Sequence, residues 1–501
     1  MQFWTTISLI LVLSAVGLTY EIAAGRVLAP FFGTSLLTWT AVIATILAGF
    51  SLGSALGGLV AERERRAAVG TVRAALVVTA VLMALSPTVL GLIYALGARE
   101  TGGMLLAVFV AFFPASVLVS FPSPFLAKLA VEARPGREGS SLGLVLAAGS
   151  LGAIVGAILA GFVALPLVGS AATFAGCGAA ALFCVPFLRG NTPGAGGKGE
   201  KTAARSTGVG STASIGVAAL VVAASMASGS VCRYESGLSC IDVVRQGGAI
   251  YLYSDRTRQA AERTIPNDGQ TGTPHALVMP YTQWIWARMD RDLGPAPSVL
   301  FVGGGGYTLP TRLLETRSSA QAVAVEIDPL VTRVVRQNMP WAGAMIEQTG
   351  FAADPAESRD DADEGRLGIV HADGRVFLNE TDRRFDAVVM DAFSSGSVPA
   401  HLATLETYER LRTIVEGPVY VNLIDAPDGP LVRGIHAILS DLYPHVEAVQ
   451  GPVSRRGRAN ILLAASRRSL APLDALPKGY EAARITPGRA FTDDRGWVGH
   501  R

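Results

Sequence analysis

The chain has 501 residues, of which 50% are hydrophobic and only 16% are charged, and its net charge is +2. A soluble domain averages about 25% charged residues, so a large part of this chain is unlike an ordinary soluble domain. The length predicts two or more domains, the near-zero net charge argues against a nucleic-acid partner, and four cysteines are too few for a disulfide scaffold.

Residues 1–231 are almost free of charge outside short loops, which predicts a helical transmembrane domain. A helix needs about 20 apolar residues to span a bilayer. Residues 190–212, which are rich in Gly, Ser, Thr and Lys, predict a flexible basic linker before the last segment. The candidate segments are seven: Phe3–Tyr20, Leu36–Val60, Val69–Leu96, Met104–Val131, Ser141–Val168, Ser170–Leu188 and Ile215–Val231.

Basic residues concentrate in alternate loops, at Arg63–Arg66, Arg134–Arg137 and residues 189–205. The positive-inside rule places these loops and the N-terminus in the cytoplasm. If the seventh segment spans, the soluble half lies outside, where nucleotide-like ligands are scarce; otherwise it is cytoplasmic. The apolar segments predict an integral plasma- or inner-membrane protein in contact with lipid, and the chemistry argued below favours a cytoplasmic catalytic domain. Cys232 and Cys240 could pair outside the cytoplasm, and two free thiols are equally compatible with the sequence.

A faint internal repeat relates Leu47–Gly58 to Leu146–Gly156. Inverted repeats are typical of transporters. Small residues at this spacing also let helices pack closely, and we favour that simpler interpretation.

Two short strands, Leu238–Val244 and Ala249–Tyr253, predict a small β domain over residues 232–280 that serves as a lid. From Ser298 onward apolar strands alternate with helical stretches, which predicts a parallel α/β sheet of the Rossmann type over residues 281–501. The expected fold is therefore a polytopic helical membrane bundle fused to a Rossmann-like domain. The expected strands are Ser298–Gly303, Ala322–Ile327, Leu367–Ala372, Phe385–Met390, Val419–Ile424 and Ala459–Ala465.

A glycine turn follows the first strand of this sheet and predicts a nucleotide-type ligand site. Without side chains, the turn lets the backbone approach a ligand closely. Glu326 ends the second strand, 23 residues after the start of the turn, and is placed to hold ribose hydroxyls. The turn residues assigned to ligand binding are Gly303, Gly304 and Gly305.

Two further acids follow the next two strands. Asp373, followed by Gly374, could accept hydrogen bonds from an adenine amino group, and Asp391 faces the reacting part of the ligand. One acid at a strand end is weak support, because such acids often cap the next helix. Acids at three successive strand ends beside a glycine turn predict an adenosine site. The six histidines show no metal-ligand spacing, so no metal is expected.

These residues together resemble the spermidine synthase family of aminopropyltransferases, which are related to class I methyltransferases. The resemblance covers about Ser236 to Ala465, and the preceding helices look like those of the membrane-fused branch of the family. Asp255 and Gln259 keep the spacing of the family's Leu-Asp-Gly-x-x-Gln stretch, and His275 matches its Tyr-His-Glu element. The resemblance implies that Gln259 and His275 contact the substrate, which is S-adenosylmethionine or its decarboxylated form, with no further cofactor.

Three departures from the family pattern concern the substrate's charged groups. The turn acid that binds the amine of decarboxylated S-adenosylmethionine is Gly306 here, the second acid of Asp-x-x-Asp is Ser394, and the family tyrosine is Pro274. A doubly charged diamine needs carboxylates to replace its hydration. The departures therefore favour intact S-adenosylmethionine and argue against putrescine.

The leading hypothesis is a membrane-embedded enzyme that cleaves the γ-carbon–sulfur bond and releases methylthioadenosine, with Asp391 as base or charge stabiliser. With an amine acceptor the reaction is aminopropyl transfer; with the substrate's own carboxylate it is a lactonising lyase reaction. One alternative is methyl transfer to a hydrophobic acceptor. Another is a transporter with an adenosyl-sensing domain. The sequence leaves the acceptor open and is compatible with a homo-oligomer.

Overall fold

The computed structural model describes residues 2–33, 36–188, 212–227, 232–255, 257–264, 276–353, 365–392, 399–455 and 457–494. These residues form two compact units, Met1–Cys240 and Ile241–Arg501.

The first unit is helical over its described residues, apart from the short strand β1 (Tyr234–Glu235) and a disulfide that joins Cys232 to Cys240. The α6 helix (Glu138–Ile158) continues through a π-helical stretch, Leu159–Ala164, into α7 (Leu165–Cys184). The α7 helix breaks at Gly169, where φ is +80°. Its helices are α1 (Phe3–Phe32), α2 (Leu36–Ala61), α3 (Arg65–Ala95), α4 (Glu100–Ser120), α5 (Pro122–Glu132), α6 (Glu138–Ile158), α7 (Leu165–Cys184) and α8 (Thr212–Ala227).

Glycine lets two pairs of these helices approach closely. A Cβ on Gly53 of α2 would lie 2.0 Å from the carbonyl oxygen of Val117 in α4, and one on Gly57 would lie 2.1 Å from that of Phe121, just after α4. A Cβ on Gly152 or Gly156 of α6 would lie 2.2 Å from carbonyl oxygens of α1. These are equivalent positions in the two copies of the faint repeat, so close helix packing is sufficient to explain the repeat.

Within the described residues, five helical stretches have the length and apolar composition needed to cross a membrane. The last of them, Glu138–Phe187, contains the Gly169 break and so includes two of the predicted segments. The α8 helix is apolar but has only 16 residues. The number of crossings and the predicted domain limits stay predictions.

The second unit begins with three strands of a small antiparallel sheet: β2 (Cys240–Gln246, whose first residue ends the first unit), β3 (Ala249–Ser254) and β4 (Thr257–Arg263). Apolar residues alternate along β2 and β3 and form its buried face. The sequence predicted β2 and β3. The assignment of this small β domain as a lid stays a prediction.

A second, larger sheet follows. Its strands are β5 (Ser298–Val302), β6 (Gln321–Val325), β7 (Gly350–Ala352), β8 (Leu367–Val370), β9 (Ala387–Met390), β10 (Val419–Asp425), β11 (His445–Gln450), β12 (Ala459–Ser466) and β13 (Glu481–Ala482). Their order in the sheet is β13-β11-β12-β10-β9-β5-β6-β8-β7 over the described residues. The six strands β5 to β10 run parallel, whereas β12 is antiparallel to β10 and β11.

Helices connect the parallel strands and bury their apolar sides against the sheet. The central strands are buried along almost their whole length, as expected where helices cover both faces of a sheet. The arrangement is a doubly wound, Rossmann-like fold, as predicted. The helices are α9 (Pro280–Asp292), α10 (Thr308–Thr316), α11 (Pro329–Asn338), α12 (Pro340–Thr349), α13 (Gly374–Glu380), α14 (Leu405–Ile414) and α15 (Pro430–Leu442).

Candidate active site

The strand order of the large sheet reverses between β5 and β9, and such a switch point opens a crevice at the carboxyl ends of the strands. The glycine turn lies at this point. Gly303 has a φ of +101°, and a Cβ on it would lie 2.5 Å from the carbonyl oxygen of Asp391. Only glycine fits here. The close approach also shows that the predicted turn and the predicted catalytic acid are in contact.

Glu326 lies directly beneath the turn and is only 7% exposed. Its Oε2 accepts hydrogen bonds from the backbone N–H groups of Gly304 and Gly305, both at 3.1 Å, and its Oε1 accepts one from Asp328 N at 3.0 Å. Burial raises the pKa of Glu326 to about 7, although these hydrogen bonds oppose the shift. The carboxylate thus holds the turn in shape, and its contact with a ribose stays a prediction.

Asp373 caps the N-terminus of α13. Its Oδ1 accepts hydrogen bonds from Arg375 N at 2.8 Å and Val376 N at 3.3 Å, while its Oδ2 lies 2.9 Å from His401 Nε2. A Cβ on the next residue, Gly374, would lie 2.7 Å from Val302, so α13 begins tightly packed on β5. Asp373 therefore has a capping role; its contact with an adenine is untested.

Asp391 is held by amide and hydroxyl groups from neighbouring elements. Asn422 Nδ2 on β10 donates to Asp391 Oδ1 at 2.7 Å, and Asn460 Nδ2 on β12 donates to Asn422 Oδ1 at 2.9 Å. The hydroxyl of Tyr281 on α9 lies beside the Asp391 carboxylate. Burial raises the pKa of Asp391 to about 6, and the hydrogen bonds from Asn422 and Tyr281 oppose that rise. Such a pKa suits a group that accepts a proton near neutral pH.

Strand β4 of the small sheet passes over this crevice. The Tyr281 hydroxyl donates to the backbone carbonyl of Gln259 at 3.0 Å, so Gln259 reaches the site through its main chain. The next residue, Ala260, packs against Gly306: a Cβ on Gly306 would lie 2.2 Å from the Ala260 Cβ. Ala260 therefore occupies the space that an acidic side chain at position 306 would need. Predicted site residue His275, and Pro274 and Ser394, lie outside the described residues.

Placing an acid in the glycine turn, as in the family that the sequence resembles, is expected to destabilise the protein. The Gly306→Asp variant should lose about 1–3 kcal/mol of unfolding free energy, because its side chain would collide with Ala260. Thermal unfolding of the purified protein measures the loss. The matched control is Gly294→Asp, since a Cβ on Gly294 meets nothing within 4 Å. An unchanged melting temperature in Gly306→Asp would show that β4 does not pack on the turn.

Sequence reasoning missed several residues of this site. A signal existed for Asn422, because it is an amide inside an otherwise apolar strand, but Tyr281 and His401 come close to the acids only through the tertiary fold.

Ile327 is 51% exposed although it directly follows the buried Glu326, which leaves an apolar surface beside the turn. No group of three or more His, Cys, Asp or Glu in the described part of the chain could hold a metal ion.

Comparison with known proteins identifies the stretch that contains this site. Residues 292–422 match the family model described as "Spermine/spermidine synthase domain". Over these residues the chain is similar to that domain. This match confirms the resemblance predicted from the sequence, and it includes the turn, Glu326, Asp373 and Asp391.

Curated proteins that are similar to part of this chain are polyamine aminopropyltransferases. The protein from Ruegeria sp. is 31% identical over 99 residues, which are 20% of this chain and 30% of the relative. The protein from Saccharolobus solfataricus is 29% identical over 124 residues, 24% of this chain and 36% of the relative. The chain therefore spans about a third of the length of these relatives.

Among solved structures, a probable spermidine synthase from Corynebacterium glutamicum is similar to this chain with a TM-score of 0.41 and 17% identity. The match covers 52% of this chain and 95% of that structure.

Proposed function

We propose that the second unit binds an adenosyl sulfonium, the decarboxylated form of S-adenosylmethionine, and transfers its three-carbon aminopropyl chain to an amine. The observation that carries this proposal is the grouping of Glu326, Asp373 and Asp391 at neighbouring strand ends around the glycine turn, inside the stretch that matches the spermine/spermidine synthase domain. The family uses this substrate without a further cofactor.

The reaction needs a neutral amine at the carbon next to the sulfonium. Asp391, as its carboxylate, takes the proton of the ammonium form, and the amine nitrogen then bonds to the carbon of the three-carbon chain that is attached to sulfur. The carbon–sulfur bond breaks, and its electron pair stays on sulfur to give neutral methylthioadenosine. Because the sulfonium is already a good leaving group, positioning and one base are sufficient.

The glycine turn lacks the carboxylate that the family pattern places near Asp391. Ala260 fills the space where that turn acid would stand. A doubly charged diamine would stay incompletely paired there. This favours a singly charged amine as acceptor. The same observation supports a second candidate, in which intact S-adenosylmethionine binds and its own carboxylate displaces the thioether to give homoserine lactone.

We further propose that the first unit embeds the protein in a membrane. Its apolar helices expose many large hydrophobic side chains, among them Leu59, Phe162 and Leu167, at 62%, 80% and 76%. Exposed apolar area on this scale is unfavourable in water and natural in lipid.

Product identification by mass spectrometry tests the proposed reaction. Detergent-purified protein is incubated with decarboxylated S-adenosylmethionine and a set of mono- and diamines, and separately with S-adenosylmethionine alone. We expect methylthioadenosine together with an aminopropylated monoamine. Methylthioadenosine and homoserine lactone from S-adenosylmethionine alone would select the lyase reaction instead. S-adenosylhomocysteine would overturn the proposal in favour of methyl transfer, and binding without any product would favour a sensor.

A further inference from the structure

The first unit has two distinct ends, and one of them carries the basic loops. At this end Arg134 lies over the ring of Phe3, with 3.6 Å from its guanidinium carbon to the ring centre, and Lys128 Nζ donates to Ala61 O at 2.7 Å. The α3 helix begins here at Arg65, since Val69 shares an apolar cluster with Ile7 and Ile10 of α1.

The opposite end of the bundle is defined by the far ends of α1 and α3. Phe31 of α1 packs on Tyr94 of α3, with ring centres 5.1 Å apart. Arg26 lies near this end, 23 residues after Phe3, or about 35 Å along an α-helix. The hydrocarbon core of a bilayer is about 30 Å thick, so the two ends are separated by one membrane thickness.

The α8 helix runs from the basic end toward the opposite end. Ala218 is buried in the cluster that contains Val69, near the start of α3. Val222, one turn later, is buried with Ala80 and Ala84, further along α3. The helix therefore advances in the same direction as α3, away from the basic loops.

The chain after α8 is held at the opposite end of the bundle by hydrogen bonds. Arg26 Nε donates to the carbonyl of Ser236 at 3.1 Å, and the Glu235 carboxylate accepts hydrogen bonds from the backbone N–H of Ser170, at 3.0 Å, and from its hydroxyl. Ser170 follows the Gly169 break, which joins two helices whose other ends lead to basic residues. Residues 235–236 thus lie about a membrane thickness from the basic loops.

We infer that α8 crosses the membrane and that the second unit lies on the extracytoplasmic side. The basic loops mark the cytoplasmic face, and Ile241 directly follows the segment fastened at the other face. The Cys232–Cys240 disulfide agrees with this side, because structural disulfides persist in oxidising compartments. This placement is opposite to the one that the expected chemistry favoured in the sequence.

The inference adds a step before the proposed reaction. Adenosyl sulfonium compounds are made from cytoplasmic nucleotides and carry a fixed positive charge, which crosses a bilayer only at high cost. A transport step must therefore deliver the substrate to an extracytoplasmic second unit, and the amine acceptor must also be available there.

Cysteine labelling of the full-length protein in spheroplasts tests the placement without relying on catalysis. Ser318 of the second unit and Ser140 beside a basic loop are both exposed, so Ser318→Cys and Ser140→Cys form a matched pair. A membrane-impermeant maleimide should label Ser318→Cys in intact spheroplasts and Ser140→Cys only after lysis. Labelling of Ser318→Cys only after lysis would overturn the inference, whether or not the protein releases methylthioadenosine.

A second measurement uses the unmodified protein and so avoids any variant that fails to fold. Thiols are trapped by alkylation at the moment of cell lysis, and the peptide pair that contains Cys232 and Cys240 is then analysed by mass spectrometry. We expect the bonded pair in most molecules. Two alkylated cysteines would count against an extracytoplasmic location. Cys177 and Cys184 are buried and unpaired in the structure, and they serve as internal thiol controls.

Discussion

The Asp391→Asn variant is expected to release methylthioadenosine about 10²–10⁴-fold more slowly than the unmodified protein, because general-base catalysis contributes a factor of that size. An asparagine has nearly the same shape and can still accept the hydrogen bond from Asn422 Nδ2. It cannot take a proton from the attacking amine. Affinity for methylthioadenosine, measured by calorimetry, should change less than twofold.

The control for this variant is an aspartate that lies just before the other end of β9. Asp386 precedes β9 and accepts a hydrogen bond from Ser298 N at 2.8 Å, at the edge of the sheet opposite the crevice. The Asp386→Asn variant should turn over normally. Full activity in Asp391→Asn would reduce Asp391 to a structural residue and would remove the base from the proposed mechanism.

The same carboxylate predicts the pH dependence of the reaction. Burial raises the pKa of Asp391 to about 6, and the ionised form is the active base, so kcat/KM should fall as the pH drops below about 6. The hydrogen bond from Tyr281 lowers this pKa; in Tyr281→Phe the acid limb should therefore move to higher pH. Tyr408→Phe is the control, since the buried hydroxyl of Tyr408 has no hydrogen-bond partner in the described part of the chain.

Replacing Glu326 by alanine is expected to weaken methylthioadenosine binding by about tenfold to hundredfold. Hydrogen bonds to a charged group contribute about 1.5–3 kcal/mol, and each 1.4 kcal/mol is a factor of ten in affinity. Two effects combine in this variant: the ribose loses its acceptor, and the N–H groups of Gly304 and Gly305 lose the carboxylate that orders the turn. Calorimetry with methylthioadenosine measures the change.

The neutral ligand is chosen because it carries the ribose but no sulfonium charge, so the result reports on the ribose and the turn alone. Glu347→Ala, at an exposed glutamate on α12, should bind normally. Thermal unfolding of Glu326→Ala must show that the domain is still folded. Unchanged affinity in a folded Glu326→Ala protein would place the ribose elsewhere and would remove the basis for the adenosyl site.

The positions of the central strands along the chain could be predicted from the sequence, because each is a short apolar run that ends at a glycine or an acid. Ser298–Val302 and Val419–Asp425 were predicted to within one residue. Strands without that pattern were missed. β4, Thr257–Arg263, has charged residues at both ends, and β11, His445–Gln450, alternates polar and apolar residues at the sheet margin.

The positions of the acids were predictable, but their hydrogen-bond partners were not. Asp373 and Asp391 stand at strand ends because the parallel sheet puts all such ends on one edge. The pairing of Asp391 with Tyr281 depends on how α9 packs against the sheet, which no local pattern encodes. The packing of Ala260 against Gly306 likewise arises from the position of β4. The sequence therefore showed which groups are present at the site but not how they are held.

The Tyr281 hydroxyl donates its hydrogen to the Gln259 carbonyl and lies beside the Asp391 carboxylate, which is a second acceptor for the same hydrogen. Burial and the neighbouring Asp391 keep its pKa well above the usual range, so that hydrogen stays on the phenol. While Asp391 is ionised it competes for the hydrogen; once protonated, it becomes a donor itself, and the phenol hydrogen is free for Gln259. We therefore expect the hydrogen bond from Tyr281 to β4 to alternate in strength within each catalytic cycle. It is weakest while Asp391 is ionised and strongest just after Asp391 has taken up the proton. Amide exchange in β4 that slows at low pH, and loses this dependence in Tyr281→Phe, would reveal the alternation.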